Sequence, residues 1–347
     1  MNWWKVASRY GPSFIMTVIL VTATLSDATE DATQPPEPTC RGGDENIDVC
    51  ACDPECARYG DCCRTSPYFA PEEQRLGASP FTCMDLSGKS IYVIPRCPPD
   101  WGDSDTRNRC EHPDTNHRDP LLDAPVTSRS TNITYSNWYC AFCNSDLDAN
   151  TTDIWDALFD CTPEDGSPDI LIPDETFADK LSYNTSTSEW DLNIDNYDLG
   201  NHSGVSIQEE PMQGTVNRRN RVKQEYKHSC TLNFRPHYEE MRVIRICKTN
   251  IISHCLREWT GTREEQLCEA YTALVCSDYD TYRNYHCFVC NNFTVLNECQ
   301  YSYVTAPPEF FGNSLSMLLD WKRLKRSGCA SSEIYDPLSR ICRKVFT

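Results

Sequence analysis

Beyond residue 26 the chain has no apolar run approaching the ~18 residues that a membrane-spanning helix requires. Positive charge is scarce too: 32 Lys and Arg stand against 51 Asp and Glu, a formal net charge of -19. Such a surface repels phosphate backbones, which argues against nucleic acid and against general adhesion to anionic lipid. Three phosphate-binding and hydrolytic signatures are missing: the P-loop, G-x-G-x-x-G and G-x-S-x-G. The seven histidines, at 112, 117, 202, 228, 237, 254 and 286, form neither H-x-x-x-H nor H-E-x-x-H. His254–Cys255 and His286–Cys287 are chain neighbours, and neighbouring side chains on a strand point apart. No catalytic residue, cofactor site or metal ligand set is nominated, and the chain reads as non-enzymatic.

What is abundant is cysteine. There are 22, an even number that suits eleven disulfides, although sequence alone leaves the connectivity open. Pairing at this density implies an oxidising compartment. Lys5 and Arg9 precede an apolar run over residues 14–26 (FIMTVILVTATLS), which predicts a signal peptide over 1–26 cut after Ser26 or Ala28. The alternative is a signal anchor, for which the run is short. Removing Lys5 and Arg9 takes the charge from -19 to -21. Five sequons, at Asn132, Asn150, Asn184, Asn201 and Asn292, predict glycosylated, solvent-facing surface. The expected location is extracellular, as a secreted chain or as the ectodomain of a longer receptor, with no membrane insertion once the signal is removed.

Composition divides the chain further. Residues 27–39 are acidic and rich in Thr and Pro, as a disordered leader is. Cysteines cluster over 40–83, 84–161 and 230–299. Between the last two clusters, residues 162–229 hold abundant Asp, Asn, Ser and Thr and read mostly as a flexible, glycosylated linker. The pattern Tyr-x-Asn-aromatic-x-Cys-x-x-Cys-Asn occurs twice, over 135–144 and 282–291. Two copies of one α+β module follow, each with an extended aromatic segment entering a CxxC turn. Asp53-Pro54 predicts a single helical turn. Thr262 and Glu265 form a capping box, with an apolar stripe running from Leu267 to Val275, and residues 315–324 give a looser amphipathic helix.

Redox and zinc readings of the CxxC pairs are weighed and set aside. Catalytic CxxC motifs sit at helix N-termini, whereas these follow strand-like residues. The pairs Cys140/Cys143 and Cys287/Cys290 lie much further apart than the 15–20 residues usual between zinc-binding pairs. Structural disulfides are expected instead. Two basic runs, ending at Arg221 and Arg326, resemble proprotein-convertase sites; a solvated helix end is the alternative for the second.

The spacing C-x9-C-x-C-x3-C-x5-C-C, from Cys40 to Cys63 with Asp53 and Asp61 inside it, resembles a somatomedin B domain. That family folds as a small disulfide knot around one helical turn and binds protein partners in some members. The resemblance implies the pairs Cys56–Cys62, Cys50–Cys63 and Cys40–Cys83. It leaves Cys52 without its usual partner, because the family's extra upstream cysteine is missing. It also implies Asp53 and Tyr59 as partner-binding positions, with Glu55 and Arg58 where apolar and aromatic residues are expected. A knot that only stiffens the N-terminus is the other reading.

Further along, IYVIPRCPP over 91–99, the segment Asn137–Asn144 and CASSEIYDPLSRICRKVF over 329–346 are similar to ectodomains of arthropod secretin-like receptors of the adhesion and Methuselah-like type. There Tyr335-Asp336-Pro337 and Cys342-Arg343 match a segment ahead of the first transmembrane helix, so residues 300–347 read as juxtamembrane-like. The expected architecture is a set of small disulfide-rich modules with little regular structure: the knot, then two related cysteine-rich α+β modules. The expected function is recognition of an extracellular protein or peptide. A free secreted effector, such as a protease-directed inhibitor or decoy, is the alternative.

Overall fold

The computed structural model describes residues 40, 46–47, 50–86, 89–113, 119–162, 174–195, 225–237, 242–277, 280–297, 299, 316–325 and 328–346. The predicted signal peptide and leader, Asn201, Arg221 and Arg326 lie outside them. All 22 cysteines are paired into eleven disulfides. Small sheets and short helices surround these bridges. Covalent cross-links thus hold segments too short to fold alone. Among the described residues no helix is long and apolar enough to cross a membrane.

The chain divides into two compact units, 1–76 with 252–299 and 77–251 with 300–347. In the first unit the N-terminal disulfide cluster is docked on the second cysteine-rich segment. A short helix, Cys56–Tyr59, ends where Gly60 adopts φ 74°, a left-handed conformation that costs glycine little. Cys50–Cys63 and Cys56–Cys62 hold this turn from both sides. The helix Pro71–Gln74 follows, and the Gln74 Oε1 accepts from the Cys62 backbone N–H at 3.0 Å. The Thr272 hydroxyl donates to the Gly60 carbonyl at 3.0 Å, and the Leu76 N–H donates to the Glu269 carbonyl at 3.0 Å. Arg283 donates to the Gln74 carbonyl, and the Arg64 guanidinium sits 4.9 Å from the Tyr271 ring centre.

The implied Cys40–Cys83 bridge does not form. Cys40 pairs with Cys52, closing the cluster within itself, and Cys83 pairs with Cys247. The reason is local. Cys83 lies on the hairpin Thr82–Leu86/Lys89–Val93, whose second strand is joined by residues 245–247. There Tyr92 N–H donates to the Arg245 carbonyl at 3.0 Å and Cys247 N–H to the Ser90 carbonyl at 2.9 Å. The Cys83 sulfur therefore meets a cysteine 164 residues away in sequence.

The second unit is organised around a five-stranded antiparallel sheet, in the order Ser316–Leu319, Asp156–Thr162, Glu225–Arg235, Glu189–Asp195, Leu181–Asn184. Cys161 and Cys230 face each other across its middle strands and are bridged. Phe159, Trp190 and Phe177, the last on the helix Asp174–Lys180, make an aromatic core on one face. Ile91, Val93 and Trp155 form another core with Met84, Leu86, Phe234 and Ile244.

The expected linker over 162–229 is corrected in its described residues; 163–173 and 196–224 lie outside them. Its residues 174–195 supply a helix and two strands of this sheet, and its last residues open the long strand Glu225–Arg235. Residues 315–324 are corrected as well: Ser316–Leu319 is an edge strand and Trp321–Lys325 a separate short helix. The capping-box helix stops at Ala270, and Val275–Cys276 is a strand.

Candidate recognition modules

Each CxxC motif is carried by a short helix, where an extended segment entering a turn was expected; Cys290 caps the end of the second helix. The helices are Trp138–Cys143 and Tyr285–Val289. The asparagine of the repeat explains why. Asn137 Oδ1 accepts from the Cys140 N–H at 3.0 Å, and Asn284 Oδ1 from the Cys287 N–H at 3.1 Å, so both are N-caps. The motifs thus start at helix N-termini, where strand-like entry was expected. No CxxC closes on itself. Cys140 pairs with Cys110 and Cys143 with Cys97; Cys287 pairs with Cys268 and Cys290 with Cys255.

This connectivity exposes a second half of the repeat that the sequence reading missed. Cys97-x3-Trp101-x8-Cys110 matches Cys255-x3-Trp259-x8-Cys268 residue for residue. In each copy the later cysteine sits on a second helix, Ser104–Glu111 or Arg263–Ala270. The two helices of a copy are thus stapled by one bridge, and a second bridge ties the CxxC helix to the chain entering the module. The sequence separations of the equivalent bridges, 46 against 35 and 30 against 19, differ by the same amount. One insertion in the connector accounts for both differences.

Polar contacts repeat with the same symmetry. Asn137 Nδ2 donates to the carbonyls of Arg109 and Cys110, each at 3.2 Å. Asn284 Nδ2 donates to those of Leu267, Cys268 and Tyr271 at 3.2, 2.9 and 2.8 Å. One amide therefore caps the start of the CxxC helix and the end of its partner. Asn144 Nδ2 donates to the Arg96 and Cys140 carbonyls, and Asn291 Nδ2 to those of His254 and Cys287. Across the helix pair, Arg109 donates to Tyr139 Oη at 3.1 Å, where the other copy sets Glu264 2.6 Å from His286. The Arg109 charge lies over the Tyr139 ring, yet burial pushes the Tyr139 hydroxyl above its ordinary pKa. A three-stranded sheet flanks each pair, Ile133–Tyr135/Val126–Ser128/Thr152–Ile154 in the first and Ile251–Ile252/Thr281–Tyr282/Val275–Cys276 in the second.

Both modules carry aromatics that are partly exposed. In the first, Trp138 stacks on Phe142 at 5.0 Å and Trp101 meets Phe142 edge-on at 5.7 Å; all three are half-buried. In the second, the half-buried Tyr285 stacks on the buried Phe288 at 6.2 Å, and Phe293, 44 % exposed, packs on the buried Tyr282 at 5.4 Å. Val295 beside it is 67 % exposed.

The partner-binding positions implied for the knot are not presented in that way. Tyr59 is buried, and the half-buried Asp53 uses Oδ1 to accept from the Glu55 N–H at 2.9 Å, fixing the entry to the helix. Glu55 and Arg58 pair with each other at 3.5 Å. Of the sequons, Asn132, Asn150 and Asn292 are exposed and Asn184 is half-buried. The Tyr335-Asp336-Pro337 and Cys342-Arg343 residues form a hairpin, Glu333–Asp336/Ile341–Lys344, closed by Cys329–Cys342. Arg343 holds Asp119 at 3.0 and 2.7 Å and Asp336 at 3.1 Å.

Fold and site together define a disulfide-rich chain in which one disulfide-stapled helix-pair module occurs twice. The chain belongs to a family of unknown function, DUF8401, which it matches over residues 92–220 and again over 209–342. The first match contains the first module and the second contains the second. No curated protein and no solved structure matches the chain significantly.

Proposed function

We propose that this chain is a non-enzymatic extracellular recognition protein that takes a protein or peptide, in the manner of a secretin-like receptor ectodomain. The observation that carries the proposal is a set of partly exposed aromatics beside each disulfide-stapled helix pair: Trp101, Trp138 and Phe142 in the first module, Tyr285 and Phe293 in the second. Aromatic anchors held rigid before contact lose little entropy on binding and dominate interface energies. The eleven disulfides support an oxidising, extracellular setting. The knot, which we read as somatomedin B-like on its spacing and on Cys50–Cys63 and Cys56–Cys62, acts in this proposal as a brace for the second module, since Tyr59 is buried.

A binding screen of the secreted, folded chain against extracellular proteins and peptides tests the proposal. A saturable partner is expected, with affinity reduced at least about tenfold by Phe142→Ala or by Phe293→Ala, the loss of one aromatic anchor. Near-ultraviolet circular dichroism should show both variants folded. A partner that binds both folded variants as tightly as the parent chain contradicts this role for the aromatics. Stoichiometric inhibition of a secreted protease would favour the effector alternative.

A further inference from the structure

Asp156, His237 and Asp320 come together at one end of the five-stranded sheet. Asp156 opens the strand Asp156–Thr162, Asp320 directly follows Ser316–Leu319, and His237 lies two residues past Glu225–Arg235. The register pairs Arg235 with Asp156 and Leu319 with Ala157, so three neighbouring strands deliver these side chains to one place. One ligand atom from each lies within 4.8 Å of the other two, and His237 Nδ1 is 3.3 Å from Asp156 Oδ2.

We propose that these three residues form a binding site for one divalent cation of zinc's chemistry. Tetrahedral zinc with bonds of about 2.0–2.1 Å separates its ligands by about 3.3 Å. An imidazole with two carboxylates suits zinc, whereas calcium and magnesium favour all-oxygen sets. Asp156 is only 2 % exposed, and its Oδ1 has no hydrogen-bond partner. His237 Nε2 is likewise buried without one. Polar atoms left in this way cost free energy unless a ligand or proton meets them.

Two cations, Lys322 and Arg235, act on both Asp156 and His237, and Lys322 is also held by Asp153. Lys322 Nζ is 3.0 Å from Asp153 Oδ1, and Arg129 Nε is 2.7 Å from Asp153 Oδ2. Burial, and next the Asp320 charge, push the Asp156 carboxyl up to about 7. Burial, and next Lys322, pull His237 below its ordinary value, which favours the neutral imidazole that a metal binds. Three protein ligands leave a fourth position open to water or to a partner's side chain.

The test is calorimetric titration of the secreted full chain, stripped with EDTA, with zinc chloride and separately with calcium chloride, alongside metal analysis by mass spectrometry. One zinc per chain, a zinc-dependent rise in melting temperature and much weaker calcium binding are expected. His237→Gln and Asp320→Asn should each weaken zinc binding at least tenfold while all eleven disulfides persist. The proposal is overturned if zinc does not bind, if calcium binds equally well, or if both folded variants retain the parent affinity. Should either variant fail to fold, stoichiometry and calcium discrimination in the parent chain decide.

Discussion

Asn137 and Asn284 each use one amide to close two helix ends, and this is why asparagine recurs at that position of the repeat. Replacing Asn284, fully buried with three carbonyl acceptors, should expose the difference between capping and bridging. Asn284→Ala removes the cap and leaves buried carbonyls unmet, an expected loss of about 2–4 kcal/mol. Asn284→Asp keeps the cap acceptor but donates nothing to those carbonyls, so urea denaturation should find it no better than alanine. Recovery of most of the stability by aspartate would reduce the residue to a simple cap. Arg343 makes a similar case. Arg343→Met strips the cationic partner from the buried Asp336, leaving only its bonds from the Leu338 and Ser339 N–H groups, and should cost about 2–3 kcal/mol by urea midpoint. Arg343→Lys should recover only part of it, because the bidentate grip on Asp119 needs a guanidinium. The sequence displayed both residues inside recognisable motifs. It did not display their work, since their acceptors lie on other segments.

At the scale of elements, the stapled helix pair is the unit of stability. Neither helix is long enough to persist alone in water. Removing the Cys268–Cys287 bridge by a double alanine substitution frees a 19-residue separation and should cost about 3 kcal/mol, read by thermal or urea melting. A change below about 1 kcal/mol would mean that the helices hold each other by packing. Half of the module was legible: the ten-residue CxxC pattern repeats openly. The Cys-x3-Trp-x8-Cys half has identical spacing in both copies, yet connectors of unequal length separate it from the first half, so the copies do not align over their whole span. The sequence hides the short helices because the aromatic and β-branched residues before each CxxC favour strands. Tertiary capping by asparagine overrode that preference. The stripe to Val275 misled for a related reason: after Ala270 the chain must turn to pair Val275 with Tyr282.

For the whole molecule, the gap between sequence and structure is largest over 162–229. Its strands carry little apolar signal; in Glu189–Asp195 the buried Trp190 and Leu192 flank Asp191, whose charge is met by Lys227 at 2.7 Å. Pairing across distant segments leaves no local trace. The disulfide Cys161–Cys230, which anchors the sheet, sits at the edges of what looked like a linker. Even cysteine number and oxidising chemistry were legible at once. Which sulfur meets which was not, as the exchange of Cys40–Cys83 for Cys40–Cys52 and Cys83–Cys247 shows.

The two-module architecture is tested most directly by peptide mapping of the native secreted chain under non-reducing conditions. Eleven linkages and no alkylatable thiol are expected, with Cys110–Cys140 and Cys97–Cys143 mirrored by Cys268–Cys287 and Cys255–Cys290. A bridge between Cys140 and Cys143 or between Cys287 and Cys290, or a free thiol at any of the four, would contradict it.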